Sequence, residues 1–218
     1  MHRITLSQDV VFSGEIIAED VPYVDFLAEF DGQSVEWIDG TVIAMSPVTS
    51  DHNALSVFFI TLFETYLSLT GGGYVLHDPM VMRPAPDLPA RSPDIQIILP
   101  ENAHIIQKQE VNGAPDLVIE IVSPSSHRRD RVEKFGEYEK AGIKEYWILD
   151  SVRKESLFYQ LGADGLYVPV TPDETGYYQS KVLPRFRILV TIFFQIPLPR
   201  GKKIVDLVEA MLEGSDSN

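Results

Sequence analysis

Asp94 and Glu120 are the carboxylates in this chain whose surroundings suggest metal chemistry. Glu120 is the one polar residue in Leu117-Val118-Ile119-Glu120-Ile121-Val122, and Asp94 follows Pro93 directly ahead of Ile95-Gln96-Ile97-Ile98. A carboxylate inside so apolar a run is costly unless it is paired or bound to a metal. The alternative is an edge strand that turns Glu120 to water, where most carboxylates lie. Two carboxylates on adjacent strands can converge on one divalent cation, and hard oxygen ligands suit Mg²⁺ or Mn²⁺. A cation held there would polarise a phosphoryl oxygen and lower the pKa of a bound water. A Pro-Asp pair alone is weak support, since it is common in loops.

A second group lies just downstream. His127-Arg128-Arg129, Arg131 and Lys134 form the densest basic cluster of the chain. The pattern predicts a helix from about His127 to Ala141, closed by Gly142 as a left-handed cap. On that helix His127, Arg131, Lys134 and Tyr138 fall at i, i+4, i+7 and i+11 and form one stripe, bordering an apolar edge made by Val132 and Phe135. Basic residues in a first turn oppose the helix dipole, and local rules broken in this way often mark function. The competing reading is a solvated face on which Asp130, Glu133 and Glu137 neutralise the cluster. A carboxylate pair beside a Lys/Arg stripe makes a phosphodiester site, with the metal on one side and the cations on the phosphate.

The elements that must position these groups follow from the apolar pattern. Leu117–Val122, bounded by Pro115 and Pro124, reads as a central strand covered on both faces. Period-two geometry puts Asp116, Val118, Glu120 and Val122 on one face and Leu117, Ile119 and Ile121 on the other. Upstream, a short helix is predicted between Val21 and Phe30. Asp39-Gly40 joins Val35–Ile38 to Thr41–Met45 as a hairpin. Thr49-Ser50-Asp51 offers caps for a buried helix from about His52 to Leu69, stopped by Gly71-Gly72-Gly73. Tyr74 to Met82 reads as one strand, Pro84 to Pro93 as a loop, and Asp94 to Leu99 as the next strand. Pro100 to Gly113 is a polar connection. Downstream, Glu145–Asp150 is a strand. Ser156–Leu161 and Leu166–Val170 form a peripheral hairpin across Asp164-Gly165. One or two strands and an amphipathic helix near Ile204 to Leu212 come last. The expected class is α/β (α+β), a mixed sheet flanked by helices with peripheral hairpins, in a single domain over residues 1–218.

Composition narrows the function classes. The chain has 218 residues, 44% hydrophobic and 23% charged, an ordinary globular composition. There is no cysteine, which excludes disulfides, thiolate metal sites and cysteine nucleophiles. The net charge of −14 argues against a general nucleic-acid binder, because phosphate contacts come from basic surface. Acidic residues come too early for a signal peptide, and no segment is read as long and apolar enough to span a membrane. A cytoplasmic location with no membrane partner is the expectation. Ser125 lacks nucleophile-elbow glycines, so a serine hydrolase has little support.

The residues resemble a known family. Pro93-Asp94, Pro115 through Ser125, Arg129-Asp130-Arg131-Val132-Glu133-Lys134, Tyr138 and Glu145-Tyr146-Trp147 look like the Uma2 family (DUF820). Glu36-Trp37-Ile38-Asp39-Gly40 and His52 match its upstream signature. The resemblance covers roughly residues 20 to 170, and nothing after about 170 carries it. It implies a restriction-endonuclease-like fold of the PD-(D/E)XK nuclease superfamily. By position, Asp94 would be the Pro-Asp metal ligand and Glu120 the acidic residue of the (D/E)-x-K element. Val122 stands where that element has its lysine, and Lys134 from the following helix would substitute, with Tyr138 orienting it. Glu36 and His52 become candidate site residues on the same grounds. Glu36 otherwise reads as an exposed strand carboxylate and His52 as a neighbour of a helix cap. His127, Arg131 and Ser123 are candidates for phosphate contact, although Ser123 could merely terminate the strand. Asp116 is assigned a turn role at the strand's start.

The expectation is therefore a Mg²⁺- or Mn²⁺-dependent endonuclease acting on DNA, in which a homodimer would let two sites face two strands. The alternative is a catalytically inactive nuclease-fold protein that serves as a DNA- or protein-interaction module.

Overall fold

Leu117–Val122, the most apolar run, occupies an interior position in a six-stranded sheet, with every residue buried. The structure, a computed structural model, describes residues 14–122 and 132–213. In chain order the elements are β1 (Glu15–Ala18), α1 (Tyr23–Glu29), β2 (Val35–Ile38), β3 (Thr41–Ala44), α2 (Ser50–Thr70), β4 (Tyr74–His77), β5 (Val81–Met82), β6 (Ile95–Ile98), β7 (Glu110–Val111) and β8 (Leu117–Val122). They continue with α3 (Lys134–Ala141), β9 (Glu145–Asp150), β10 (Glu155–Leu161), β11 (Tyr167–Val170), β12 (Tyr177–Gln179), β13 (Arg187–Leu189) and α4 (Lys202–Glu213).

The large sheet has the order β11-β10-β9-β8-β6-β4. Only β8 and β9 run parallel, so the sheet is mixed. Strand alternation divides its side chains between two cores. Leu117, Ile119 and Ile121 join Phe59 and Phe63 of α2 and Trp147 of β9 on one face. Val118 and Val122 join Tyr138 of α3, Tyr146 and Ile148 on the other. With α2 and α4 covering the first face and α3 the second, the chain has the expected mixed sheet between helices.

Helix α2 begins where Thr49 accepts a hydrogen bond from the His52 amide at 3.2 Å, and ends at Gly71, which takes the left-handed conformation (φ 118°). Seven of its side chains, from Leu55 to Leu67, are buried. By length and composition α2 does meet the requirement for a membrane span, contrary to the sequence-based expectation. Its apolarity is instead directed at the sheet, where Phe59, Phe63 and Trp147 are in ring contact.

Asp39 (φ 47°) and Gly40 (φ 88°) both have positive φ, as a tight hairpin turn needs. The hairpin belongs to a small β1-β3-β2 sheet. Trp37 and Ala90 exchange backbone hydrogen bonds at 2.9 Å, which docks β2 on the segment leading into β6. Glu36 is thereby brought beside Arg91.

Some elements depart from expectation. Tyr74–Met82 is not one strand: the chain turns at Asp78-Pro79, β4 pairs with β6, and β5 pairs in parallel with β7. Pro79 has no amide proton for a ladder, and the Asp78 carboxylate is taken up by the hydroxyls of Ser34 (2.5 Å) and Ser92 (2.8 Å). The connection Pro100–Gly113 contains a 3-10 helix and β7. Val132 is 62% exposed, so of the expected Val132–Phe135 edge only Phe135 packs inward, against Tyr159 and Tyr167. Residues 127–131 of the expected helix lie outside the described residues, and Gly142 closes it in the left-handed conformation, as anticipated.

The late segment seals the α2 face. Tyr178, Phe186, Ile188, Phe193, Ile204 and Val208 all enter the same core. The fully buried Glu145 carboxylate fastens it, accepting from Trp147 Nε1 (2.8 Å), the hydroxyls of Tyr178 (2.5 Å) and Ser180 (2.8 Å), and the amides of Lys181 (3.0 Å) and Val182 (3.2 Å). An acceptor lost here orphans several buried donors, each costing about 1–3 kcal/mol. Glu145→Ala should therefore lower stability by at least ~3 kcal/mol in urea unfolding, with Glu145→Gln costing less. A loss near zero in Glu145→Ala would show that the late segment is held by apolar packing alone.

Candidate active site

Lys134 begins α3 and Tyr138 lies one turn on, so both side chains leave the same side of the helix, toward β8. Lys134 Nζ is 2.7 Å from Glu120 Oε1, and the Tyr138 hydroxyl donates to the same oxygen at 2.8 Å. The ammonium also stands 3.1 Å from Glu36 Oε1. Arg91 continues the chain of charges: its Nη1 donates to Glu36 Oε2 at 2.8 Å. Its Nε and Nη2 clasp Glu137 at 2.7 and 2.6 Å.

Alternation of sign is what lets these groups be buried. Glu36, Arg91, Glu120 and Lys134 are each no more than 3% exposed. Removing an ion from water costs several kcal/mol, and only a close partner with good geometry offsets it. Burial opposes the charge of Arg91, but the carboxylates of Glu36 and Glu137 outweigh it and hold the guanidinium well above its ordinary pKa. Burial, and then the negative charge of Glu120, push the Tyr138 phenol well above its ordinary range. Tyr138 therefore remains a neutral donor to Glu120.

Asp94 immediately precedes β6, and the pairing of Ile95 with Ile119 places it across from Glu120 on the adjacent strand. Its Oδ2 accepts from the Ile121 amide at 2.6 Å, taking over the ladder where β6 begins. Its Oδ1 is 3.0 Å from His52 Nε2, in the first turn of α2. Asp94 is thus fixed at the head of β6, held by the backbone of β8 and by α2.

Glu120, Lys134, Tyr138 and Glu36 form one connected group, and Asp94 with His52 forms another, joined to it through the backbone of β8. Glu36 is not the exposed strand carboxylate that its hairpin suggested: it is fully buried. Ser123, His127 and Arg131 lie outside the described residues. Asp116 is an anchor at the start of β8, accepting from the Leu99 amide (2.8 Å), Asn102 (2.8 Å) and Lys144 (2.6 Å).

Arg91 and Glu137 are the residues that sequence reasoning missed. Arg91 sits in a Pro-rich loop with no periodicity to flag it, and Glu137 read as part of a solvated helix face. Glu137 lies one helical turn from Lys134 and could have been paired with it in principle. Its actual partner comes from a loop 46 residues away.

Three carboxylates, Glu36, Glu120 and Glu137, face two cations, Lys134 and Arg91, and Asp94 adds a fourth carboxylate beside His52. Among the described residues no group of three His, Asp or Glu side chains is arranged to hold a metal ion. Mg²⁺ commonly keeps several waters and takes one or two carboxylates with substrate phosphate oxygens. Asp94 and Glu120, hard oxygen donors at opposed positions of adjacent strands, fit such a cation in kind.

A family profile described as "Uma2: Putative restriction endonuclease" matches residues 22–191. The chain belongs to the Uma2 family. The Uma2 match runs past residue 170 and takes in β12 and β13, so the segment fastened by Glu145 is part of the family's domain. In fold the chain is similar to the crystal structure of a "putative nuclease belonging to DUF820" from Anabaena variabilis ATCC 29413. The TM-score is 0.59 at 16% identity, covering 73% of this chain and 89% of that one. No curated protein matches.

The charge string yields a stability prediction. Arg91→Met leaves Glu36 and Glu137 without their guanidinium and should cost about 3–5 kcal/mol in urea unfolding, as when one partner of a buried ion pair is removed. Adding Glu36→Gln should recover part of that loss. A single variant as stable as the parent would show that the string is not a coupled unit.

Proposed function

We propose that this Uma2 protein is a divalent-metal-dependent endonuclease that hydrolyses DNA phosphodiester bonds. The observation carrying the reading is the reach of Lys134 from α3 to Glu120 Oε1 at 2.7 Å. It supplies an ammonium to the β8 carboxylate although Val122 occupies the position where a nuclease strand would carry lysine. Asp94 and Glu120 would hold Mg²⁺ or Mn²⁺, which when bound polarises a phosphoryl oxygen and lowers the pKa of a water.

The remaining roles belong to the chain itself. Lys134, gripped by Glu36 and Glu120, holds a fixed positive charge where negative charge grows on the phosphate during attack. Its burial matters, because an ammonium in a site shielded from water needs little reorganisation as the reaction proceeds. Tyr138 keeps its proton and fixes the rotamer of Glu120. His52 and the Ile121 amide orient Asp94. Ser123, His127 and Arg131 are proposed to contact substrate phosphate.

A second reading is a catalytically inactive module that keeps the fold for interaction with DNA or protein. It is favoured by the two donors already on Glu120 Oε1, which satisfy that oxygen without a metal.

Two measurements separate the readings. Calorimetric titration with Mn²⁺ should show binding that Asp94→Asn and Glu120→Gln abolish. Nicking of supercoiled plasmid in Mg²⁺ should fall about 10²–10³-fold in Lys134→Gln, the usual cost of losing one group that stabilises transition-state charge. A folded parent protein that neither takes up Mn²⁺ nor nicks plasmid would favour the inactive module.

A further inference from the structure

Two cavities meet along the first three turns of α2, on the sheet face opposite Lys134. One, of about 260 Å³, lies between Asp51 and Leu55 of α2, Ser151 and Lys154 beyond β9, and the segment Phe193–Arg200. The other, of about 480 Å³, continues past Asn53, Val57 and Thr61 against Leu198–Gly201 and Ile204. Ala54, Leu198 and Arg200 line both, so the two form one groove. At 1.5 Å per residue, the stretch of α2 from Ser50 to Thr61 gives it a length of about 16 Å.

Two lining residues of the groove are chain neighbours of residues at the candidate active site. Asp51 on its wall precedes His52, the partner of Asp94. Ser151 follows Asp150, which pairs with Val122 at the end of β8. Its charge also differs from that of the chain as a whole. Arg153, Lys154, Arg200, Lys202 and Lys203 are five of only 18 lysines and arginines in a chain of net charge −14, and they gather on the two segments that flank the groove. Lys154 and Arg200 line it, are exposed and have no ion pair with a described residue; Lys202 is engaged by Asp206. Among the described residues Asp51 is the one acidic residue on the walls. The floor is apolar, with Leu55, Phe193, Phe194 and Leu198.

We propose that this groove binds an unpaired nucleic-acid strand continuing from the scissile phosphate, with Lys154 and Arg200 on backbone phosphates and the bases against the apolar floor. The inference rests on the nuclease reading and extends it to where the rest of the substrate runs. Cations on a rim above an apolar and aromatic floor are the chemistry of single-strand tracks, since any base can lie on such a floor. A duplex keeps its base faces stacked away and would leave that floor in water.

The test is fluorescence anisotropy of labelled 20-nucleotide single strands, DNA and RNA in separate arms, in EDTA so that nothing is cleaved. The double variant Lys154→Glu/Arg200→Glu should bind at least tenfold more weakly. Its dependence of log affinity on log salt should be shallower by about 1.4, since each phosphate neutralised on a single strand adds about 0.7 to the slope. Lys154→Arg/Arg200→Lys should bind like the parent. The arm that binds more tightly identifies the sugar. Equal affinity of the parent and the charge-reversed variant for both strands overturns the proposal, as does a preference of the parent for duplex. Bis(p-nitrophenyl) phosphate, too small to reach the groove, reports on the catalytic centre separately. A parent that hydrolyses it yet shows no dependence of strand binding on Lys154 and Arg200 refutes the groove and leaves the nuclease standing. A parent that binds strands through these residues but hydrolyses nothing supports the groove and refutes the nuclease.

Discussion

The ion pair between Glu120 and Lys134 is the constraint on which the rest of the site depends. A central strand covered on both faces has no water to offer a carboxylate, so Glu120 requires a cation delivered from another element. That cation comes from the first residue of α3, and its delivery fixes how the helix sits on the sheet. The ammonium must itself be satisfied, and Glu36 from the small sheet supplies the second carboxylate. Glu36 in turn calls for Arg91, and Arg91 for Glu137 on α3. The string begins and ends on the same helix and ties the β2–β3 hairpin, the loop before β6, the central strand and α3 into one electrostatic unit.

Such an arrangement is a costly way to make a protein stable. An apolar set of similar volume would often do as well or better. Buried alternating charge at one end of a sheet makes physical sense when the groups hold positions for chemistry, because charges fixed in a low-dielectric surround act strongly and need not reorganise. The same region carries Asp94, which sits where β6 joins the ladder and is held by the Ile121 amide of β8 and by His52 of α2. The site thus lies where the two covering layers meet.

Much of this was legible in the sequence because the pattern there is simple. The apolar run with one acid announced a central strand, and its alternation assigned Glu120 to the face where α3 packs. The Asp39-Gly40 turn, the Thr49 cap and the left-handed glycines at positions 71 and 142 bounded the elements correctly. The arrangement of the late segment was not legible, since its attachment to Glu145 joins residues more than 30 positions apart. Nor was the break at Asp78-Pro79, where two serines from distant segments take up one carboxylate. Arg91 was invisible for the same reason: a long side chain in an irregular loop has no period, and its partners are set by tertiary folding alone.

Crystals of the protein grown or soaked in Mn²⁺, with anomalous scattering recorded at the manganese edge, would test the metal-dependent site most directly. The expected result is an anomalous peak within coordination distance of both Asp94 and Glu120, with Lys134 still paired to Glu120. A saturating Mn²⁺ soak that leaves those two carboxylates without a peak would contradict it.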